Sequence, residues 1–246
     1  MIRLIIVALL LTLYIDAKCD RNAKILISTY SKVKACKNNY IIFSDGTKMV
    51  YDDGKRKSFE QRLKNADIQD MFYDKYPIGS CKTPRFNHDP GRYRNDRFFR
   101  KIYGSSASSV RKNLVRVRWL PKSLKRTVYI KVHKNIASKM RAVSNELDRL
   151  PQKYKKYLYP MGGTFNWRNI AGTHRLSSHS FGTAIDINVK YSAYWRWSKG
   201  KYRYQNKIPC KIVNIFEKYG FIWGGKWYHY DTMHFEYRPE IIKASR

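Results

Sequence analysis

The chain has 246 residues, of which 43% are hydrophobic and 15% aromatic, with 13 Gly and 8 Pro. This length allows one domain or a compact pair, and the composition excludes collagen-like, low-complexity and wholly disordered proteins. Fifty Lys and Arg against 18 Asp and Glu give a formal charge of +32, which attracts anions such as nucleic acid, anionic membrane or cell-wall polymer. The alternative is a positive surface that only sets solubility.

The first residues predict export. A basic start, Met1 to Arg3, precedes an apolar run from Leu4 to Ile15 and the small residue Ala17. This pattern is typical of a secretory signal peptide, here residues 1–17, and the run is too short for a stable transmembrane anchor. We expect the mature protein in the bacterial periplasm or outside the cell. An exported protein rarely meets a genome, which argues against nucleic acid as its partner.

The four cysteines, Cys19, Cys36, Cys81 and Cys210, are widely spaced without a Cys-x-x-Cys pair. This spacing does not support a cysteine zinc site, and an oxidising compartment favours disulfides. Three pairings are possible. We predict a Cys36–Cys81 disulfide as the first choice, because both residues lie in a poorly patterned half of the chain that needs a covalent cross-link.

Residues 18–104 are predicted to form an N-terminal region of unknown role. Ile25 and Ile27 alternate with polar residues, which predicts a strand. Asp45-Gly46 separates the apolar runs 40–43 and 48–51, which predicts a β-hairpin. Residues 52–104 are rich in charge, Gly, Pro and Asn and are poorly informative, apart from a turn predicted at Asp89-Pro90-Gly91-Arg92.

Residues 105–246 are predicted to form a second, catalytic unit. Apolar residues over 110–117 have helical spacing, which predicts a helix that ends before Pro121. Apolar and polar residues then alternate over 128–132, which predicts a strand. Apolar residues repeat at three and four positions over 136–150, which predicts an amphipathic helix that stops before Pro151. Residues 209–219 predict another helix, with Pro209 in its first turn and Gly220 at its end.

The most informative segment runs from Ser177 to Asn188. Its second half alternates as a half-buried strand with Asp186 on the polar face, and Gly182 permits a bend that brings His179 back beside Asp186. An imidazole and a carboxylate are a normal pair of zinc ligands, and catalytic zinc takes three protein ligands.

A second alternating segment, residues 231–237, supplies the third candidate ligand. His234 and Glu236 share one face of this predicted strand. The aromatic residues and the Gly-Gly turn before it would bring it antiparallel to the strand of Asp186. The chain has no His-Glu-x-x-His helix, so we expect the metal site to lie on a sheet.

The pattern Ser-x-His-x-x-Gly-x-Ala-x-Asp, followed by Asp-x-x-His, is similar to that of the zinc D-alanyl-D-alanine carboxypeptidases, D-alanyl-D-alanine dipeptidases and L-alanyl-D-glutamate endopeptidases. The matching residues are Ser177, His179, Gly182, Ala184, Asp186, Asp231 and His234. The resemblance covers roughly residues 136–240. It implies an α+β fold, a small antiparallel sheet with flanking helices and a hedgehog-like core, here preceded by an N-terminal region with a β-hairpin.

The resemblance also implies roles for individual residues. One Zn²⁺ per chain would be held by His179, Asp186 and His234, and Asp231 would be the catalytic acid and base. The family's carbonyl-polarising Arg is assigned to Arg168.

Other residues near the pattern are assigned supporting or alternative places. Arg175 is the alternative to Arg168. Asn188 and Glu236 share faces with the ligands and would orient them. His174 and His229 lie off the pattern and are expected either to support the ligands or to be structural. Five tryptophans are expected to divide between a substrate groove and the core: Trp167, Trp195, Trp197, Trp223 and Trp227.

Taken with the signal peptide, the resemblance predicts an exported zinc peptidase that hydrolyses a peptide bond in the stem peptides of peptidoglycan. Its positive charge suits adsorption to anionic wall polymers. The alternative is a non-catalytic module on the same zinc scaffold that binds anionic wall polymer or a partner protein, because a fold alone does not imply a function.

Overall fold

A computed structural model of the protein describes residues 19–198 and 200–246. The predicted signal peptide, residues 1–17, lies outside these residues. Within the described ranges, no helix has both the length and the apolar character needed to cross a membrane.

Short helices and short strands make up the fold. The helices are α1 (Arg21–Thr29), α2 (Phe59–Asn65), α3 (Asp96–Tyr103), α4 (Ala107–Arg111), α5 (Ala137–Asp148), α6 (Lys155–Leu158), α7 (Cys210–Lys218) and α8 (Pro239–Ala244). The strands are β1 (Val33–Lys37), β2 (Tyr40–Phe43), β3 (Lys48–Val50), β4 (Leu114–Arg118), β5 (Tyr129–His133), β6 (Ala184–Asp186), β7 (Phe221–Trp223) and β8 (His234–Tyr237). They form three antiparallel sheets, ordered β1-β2-β3, β4-β5 and β6-β8-β7. The predicted α+β class is confirmed.

Several elements lie where the sequence predicts them. β2 and β3 form the hairpin around Asp45-Gly46, and β5 is the strand expected near residue 130. α5 and α7 fill most of the two predicted amphipathic helices, and β8 pairs antiparallel with β6. These segments have periodic apolar patterns long enough to distinguish a helix from a strand.

The strand predicted around Ile25 and Ile27 is wrong, because both residues lie in α1. The carboxylate of Asp20 caps this helix by accepting from the backbone N–H of Asn22 and Ala23 at 2.8 and 3.0 Å. The buried residues Ala23 and Leu26 are three apart, which is a helical spacing.

The helix predicted over residues 110–117 is also wrong. Val110 lies in the short helix α4, whereas Leu114 and Val117 lie in β4. β4 pairs with β5 so that Leu114 faces His133 and Val117 faces Ile130. The backbone hydrogen bonds of this ribbon prevail over the helical spacing of three apolar side chains.

The predicted Cys36–Cys81 disulfide is wrong, and the bonds observed are Cys19–Cys36 and Cys81–Cys210. Cys19 precedes α1 and Cys36 lies in β1, and these two elements pack together. Cys81 instead bonds the first residue of α7. The presence of disulfides, as predicted, is confirmed.

Two apolar clusters position the site. One packs α5 and α7 against the β4-β5 ribbon and the β6-β8-β7 sheet. The other joins α1, β1, β2 and α3 to Leu176 and Phe181, which lie on either side of His179 in the chain. The N-terminal region therefore shares a core with the second half of the chain. The domain boundary near residue 104 stays a prediction.

Candidate metal centre and catalytic cleft

Three elements bring two imidazoles and a carboxylate together. His179 lies in the 3₁₀ turn Ser178–Phe181, Asp186 ends β6, and His234 begins β8. The antiparallel register of β6 and β8 places Asp186 directly opposite His234. Paired residues in a sheet project to the same face, so the two side chains meet above it.

Gly182 lets the turn fold back onto β6. Its φ of +65° lies in the left-handed region, which glycine adopts without steric cost. A Cβ at this position would lie 2.6 Å from Leu114 Cδ2 and 3.0 Å from the backbone nitrogen of His133. That nitrogen donates to the Gly182 carbonyl at 2.8 Å. The β4-β5 ribbon therefore supports the turn that carries His179.

The three candidate ligand atoms form a compact triangle. His179 Nε2 lies 3.1 Å from Asp186 Oδ1 and 3.2 Å from His234 Nδ1, and His234 Nδ1 lies 3.0 Å from Asp186 Oδ1. A tetrahedral zinc ion with bonds of roughly 2.0–2.1 Å separates its ligand atoms by roughly 3.3 Å. The structure thus brings together a His/Asp/His group whose size fits one such ion.

The outer hydrogen bonds of the two imidazoles set their tautomers. His179 Nδ1 donates to the carbonyl of Thr164, and His234 Nε2 lies 3.1 Å from Glu236 Oε2. These oxygens accept hydrogen bonds, so each of those nitrogens carries a proton. The other nitrogen of each ring faces Asp186 and presents a lone pair when the ring is neutral. Three such groups that face one another need a proton or a cation between them, and a metal fits this donor set.

The charges around the cluster favour the ionised carboxylates. Burial opposes charge on His234, but hydrogen bonds to Asp186 and Glu236 raise its pKa to about 10. Burial would raise the pKa of Asp186, yet His179 and His234 hold it far below its usual range. Burial would likewise raise the pKa of Glu236, but Arg94, His234 and Arg238 together lower it. Without a metal, a proton on His234 thus balances the carboxylates, and a bound cation would take the place of that proton.

Asp231 is held beside this cluster by its backbone. Its N–H donates to the carbonyl of Gly224 at 3.0 Å, and its carbonyl accepts from the His234 N–H at 3.2 Å. A Cβ on Gly224 would lie 2.5 Å from the Asp231 carbonyl oxygen, so glycine permits this approach. Oδ1 of Asp231 is buried and has no hydrogen-bond partner among the described residues. Burial raises the pKa of Asp231 to about 6, which suits proton exchange near neutral pH.

One cleft contains all four of these side chains. It has a volume of about 290 Å³ and is lined by His179, Asp186, His234 and Asp231. Four arginines also line it: Arg92, Arg94, Arg168 and Arg175. We call this cavity the metal cleft.

Both candidate carbonyl-polarising arginines reach the metal cleft. Arg168 is exposed, and its backbone N–H donates at 2.9 Å to Ser180 Oγ, in the turn of His179. Arg175 is half-buried and donates from Nη1 to the carbonyl of Arg92 at 2.9 Å. Arg168 thus has the more exposed side chain and Arg175 the more buried one.

Sequence reasoning missed Arg92 and Arg94. Arg94 is 6% exposed and donates to Glu236 Oε2 at 3.1 Å and to the Leu176 carbonyl at 2.7 Å. Arg92 donates to Asp89 Oδ2 at 2.5 Å. Both lie in the stretch that has no apolar period, and no local pattern distinguishes them from the many other basic residues.

The remaining predicted residues have the following contacts. Ser177 Oγ accepts from the His179 N–H at 3.4 Å and caps its turn. The amide of Asn188 donates to the carbonyls of Lys156 and Tyr159 at 2.7 and 3.0 Å, and among the described residues it makes no side-chain hydrogen bond to a candidate ligand. His229 lines the metal cleft and donates to Asp89, whereas His174 is exposed.

The tryptophans divide between the cleft and the core. Trp195, Trp197 and Trp227 line the metal cleft, whereas Trp223 is fully buried in the larger apolar cluster. Trp167 packs against the smaller cluster, with its ring 6.4 Å from that of Phe181.

Comparison with known proteins identifies one family. Residues 171–237 match the family model of D-alanyl-D-alanine carboxypeptidases, which confirms the resemblance predicted from the motif. The matched segment contains the three candidate ligands and Asp231. Neither the curated proteins nor the solved structures provide a match to the chain.

Proposed function

We propose that this protein, whose residues 171–237 match the D-alanyl-D-alanine carboxypeptidase family, is an exported zinc peptidase that hydrolyses a bond in peptidoglycan stem peptides. The observation that carries the proposal is the convergence of His179 Nε2, Asp186 Oδ1 and His234 Nδ1 within 3.2 Å, with Asp231 in the same cleft. The match supports a peptidase of this type. The zinc ion, the substrate and the export are our proposals.

His179, Asp186 and His234 would hold one Zn²⁺, which when bound supplies Lewis acidity for the scissile carbonyl and lowers the pKa of water towards roughly 7. Glu236 and the Thr164 carbonyl hold the two imidazoles in the tautomers that leave their inner nitrogens free. These second contacts fix the orientation of the rings before any ligand arrives.

Asp231 is the proposed acid and base. With its Oδ1 free and its pKa raised by burial, the carboxylate takes a proton from the attacking water and then passes it to the leaving amine. An arginine of the metal cleft stabilises the negative charge that develops on the carbonyl oxygen, and we assign this role to Arg168.

Two features of the whole chain support a wall substrate outside the cytoplasm. The two disulfides suit an oxidising compartment. The formal charge of +32 suits a protein that works on anionic wall polymers.

Mass spectrometry of muropeptides before and after incubation with the zinc-loaded protein tests the proposal. We expect one stem-peptide bond to be cleaved, and the mass of the products identifies which one. The matched control is the same protein after chelation, which should leave the muropeptides intact. Binding to sacculi without any cleavage would support the non-catalytic module instead.

A further inference from the structure

A second cavity adjoins the metal cleft. It has a volume of about 510 Å³ and shares six lining residues with the metal cleft: Arg92, Ile170, Arg175, Tyr194, Trp195 and His229. One set of side chains therefore borders both spaces, and we call the two adjacent cavities together the groove. We call the new part the side cavity. A substrate longer than the group at the metal can extend into it.

The far wall of the side cavity is helix α2, which lies outside the segment matched by the family model. Phe59 and Leu63 of this helix line the cavity, and the Phe59 ring stacks on His229 with centroids 5.4 Å apart. Ser58 and Gln61 fix the start of the helix through a capping box. The N-terminal region thus contributes an ordered apolar wall to the groove.

The charged side chains of the side cavity are mostly cationic. Lys64, Arg92, Arg175 and Arg196 line it, against one carboxylate, Glu60. Arg92 is paired with Asp89, but Arg175 and Arg196 donate to the carbonyls of Arg92 and Ala171. Within the described part of the chain, no carboxylate lies within ion-pair distance of Lys64, Arg175 or Arg196.

The arginine at the junction of the two cavities has an excess of positive charge around it. Burial and the neighbouring Arg94 and Arg92 together lower the pKa of Arg175 to about 10, and Asp96 and Glu236 oppose this shift only in part. An anion at this junction relieves the repulsion. An arginine that offers several N–H groups to one carboxylate forms the strongest contacts of this kind.

We infer that the side cavity binds a carboxylate-bearing residue of an extended peptide substrate, with Lys64 and Arg196 supplying charge and Phe59 supplying an apolar contact. This inference rests on the proposed function and adds a specificity site to it. It also gives the N-terminal region a role in selecting substrates. Trp195, which borders both cavities, supplies the apolar surface between the scissile bond and the bound carboxylate.

Three probes test the inference on the full zinc-loaded chain. The first is the pentapeptide L-Ala-γ-D-Glu-L-Lys-D-Ala-D-Ala, the second is the same peptide with the free D-Glu carboxylate converted to an amide, and the third is the dipeptide D-Ala-D-Ala. Calorimetry with the Asp231→Asn variant measures binding of each probe without turnover. We expect the acidic pentapeptide to bind about 5- to 20-fold more tightly than its amide, the scale of one exposed charged contact.

Substitutions confined to the side cavity provide the second arm. Lys64→Gln with Arg196→Gln should remove most of the difference between the acidic and amidated pentapeptides and leave dipeptide binding unchanged. Phe59→Ala should weaken both pentapeptides alike. Lys139→Gln, an exposed lysine of α5 outside both cavities, is the matched control and should change nothing.

The outcomes separate the inference from the proposed function. If the wild-type protein cleaves the peptides but does not distinguish acid from amide, the inference is wrong and the proposed function stands. If the acid is preferred in calorimetry and no peptide is cleaved, the side cavity is supported and the peptidase proposal fails. Equal binding of acid and amide by every variant overturns the inference whether or not cleavage occurs.

Discussion

In both His179 and His234, one ring nitrogen contacts a supporting oxygen and the other faces Asp186. The supporting partners differ in kind, because Thr164 offers a backbone carbonyl and Glu236 a carboxylate. Glu236 is in turn bound by Arg94 and by Arg238, at 3.1 Å from each. The orientation of His234 therefore depends on a buried ion network that extends well beyond the motif.

At the residue scale, the assignment of the carbonyl-polarising group gives a prediction. Arg168→Ala should lower turnover of a muropeptide by about two to three orders of magnitude, the scale for loss of one oxyanion donor, and should leave zinc bound. Steady-state cleavage and metal content measure the two effects. Arg175→Ala is the matched comparison. If Arg175→Ala loses activity and Arg168→Ala does not, the assignment must be exchanged.

The motif residues were predictable from sequence because each lies in a short segment with its own pattern. A two-residue period placed Asp186 and His234 on facing strands, and glycine at 182 indicated the bend beside His179. The positions of Arg92 and Arg94 were not predictable. They reach the cleft through contacts between residues about eighty or more positions apart, which no local period encodes.

At the element scale, the disulfides predict a difference in stability. Cys81–Cys210 closes a loop of 129 residues and Cys19–Cys36 one of 17. In the chain-entropy account, loss of the long loop costs about 5 kcal/mol and loss of the short loop about 3 kcal/mol. Urea unfolding of the two paired Cys→Ser variants measures both free energies. A smaller loss for the Cys81/Cys210 pair would contradict this account.

His133, at the end of β5, predicts a pH dependence of stability. Its Nε2 lies 3.2 Å from the Tyr103 carbonyl, and its Nδ1 accepts from the Asn135 N–H at 3.2 Å, which requires a neutral ring. Burial lowers the pKa of His133 to about 4, below the value of about 6.5 for an exposed histidine. Between these values the unfolded chain binds a proton that the folded chain does not, so stability falls as the pH falls from about 6.5 to about 4.

Urea unfolding between about pH 7.5 and about pH 4 checks this linkage. The matched variant is His133→Gln, which keeps a donor for the Tyr103 carbonyl but does not titrate. Its free energy of unfolding should decline less steeply with acid than that of the wild type, at the same zinc content. Parallel curves for the two proteins would remove His133 as a cause.

The elements that the sequence predicted wrongly share a physical reason. A short alternation such as Ile25 and Ile27 fits either a strand or one face of a helix, and the Asp20 cap decides for the helix. Conversely, Leu114 and Val117 fit a helical face, but pairing with β5 decides for a strand. In both cases the deciding contact is one that apolar periodicity does not record.

At the scale of the whole molecule, the charge of +32 predicts salt-sensitive adsorption to the wall. Binding to sacculi should weaken as NaCl rises from about 0.1 M to about 1 M, where the screening length falls from about 10 Å to about 3 Å. Cleavage of D-Ala-D-Ala, which lacks a polymer, should change much less. Co-sedimentation and a dipeptide assay at matched salt measure both, and adsorption that is insensitive to salt would contradict an electrostatic role for this charge.

The N-terminal region was the part of the molecule least accessible to sequence reasoning. Its apolar residues pack into a core with Leu176 and Phe181, and its helix α2 borders the groove, yet residues 52–104 show no period. Their structure depends on contacts with the second half of the chain. One such contact is Tyr76 Oη, which donates to Glu217 of α7 at 2.6 Å.

The central claim is that three residues hold zinc and a fourth moves a proton. Zinc per chain, measured by inductively coupled plasma spectrometry beside muropeptide cleavage, tests it on His179→Ala, His234→Ala and Asp231→Asn, with Glu146→Gln of α5 as the remote carboxylate control. The histidine variants should lose metal and activity together, because two ligands are too few for a stable site. Asp231→Asn should keep about one zinc per chain and lose most turnover, because an amide cannot accept the proton. Loss of zinc from Asp231→Asn, or full activity in any of the three variants, would contradict the account.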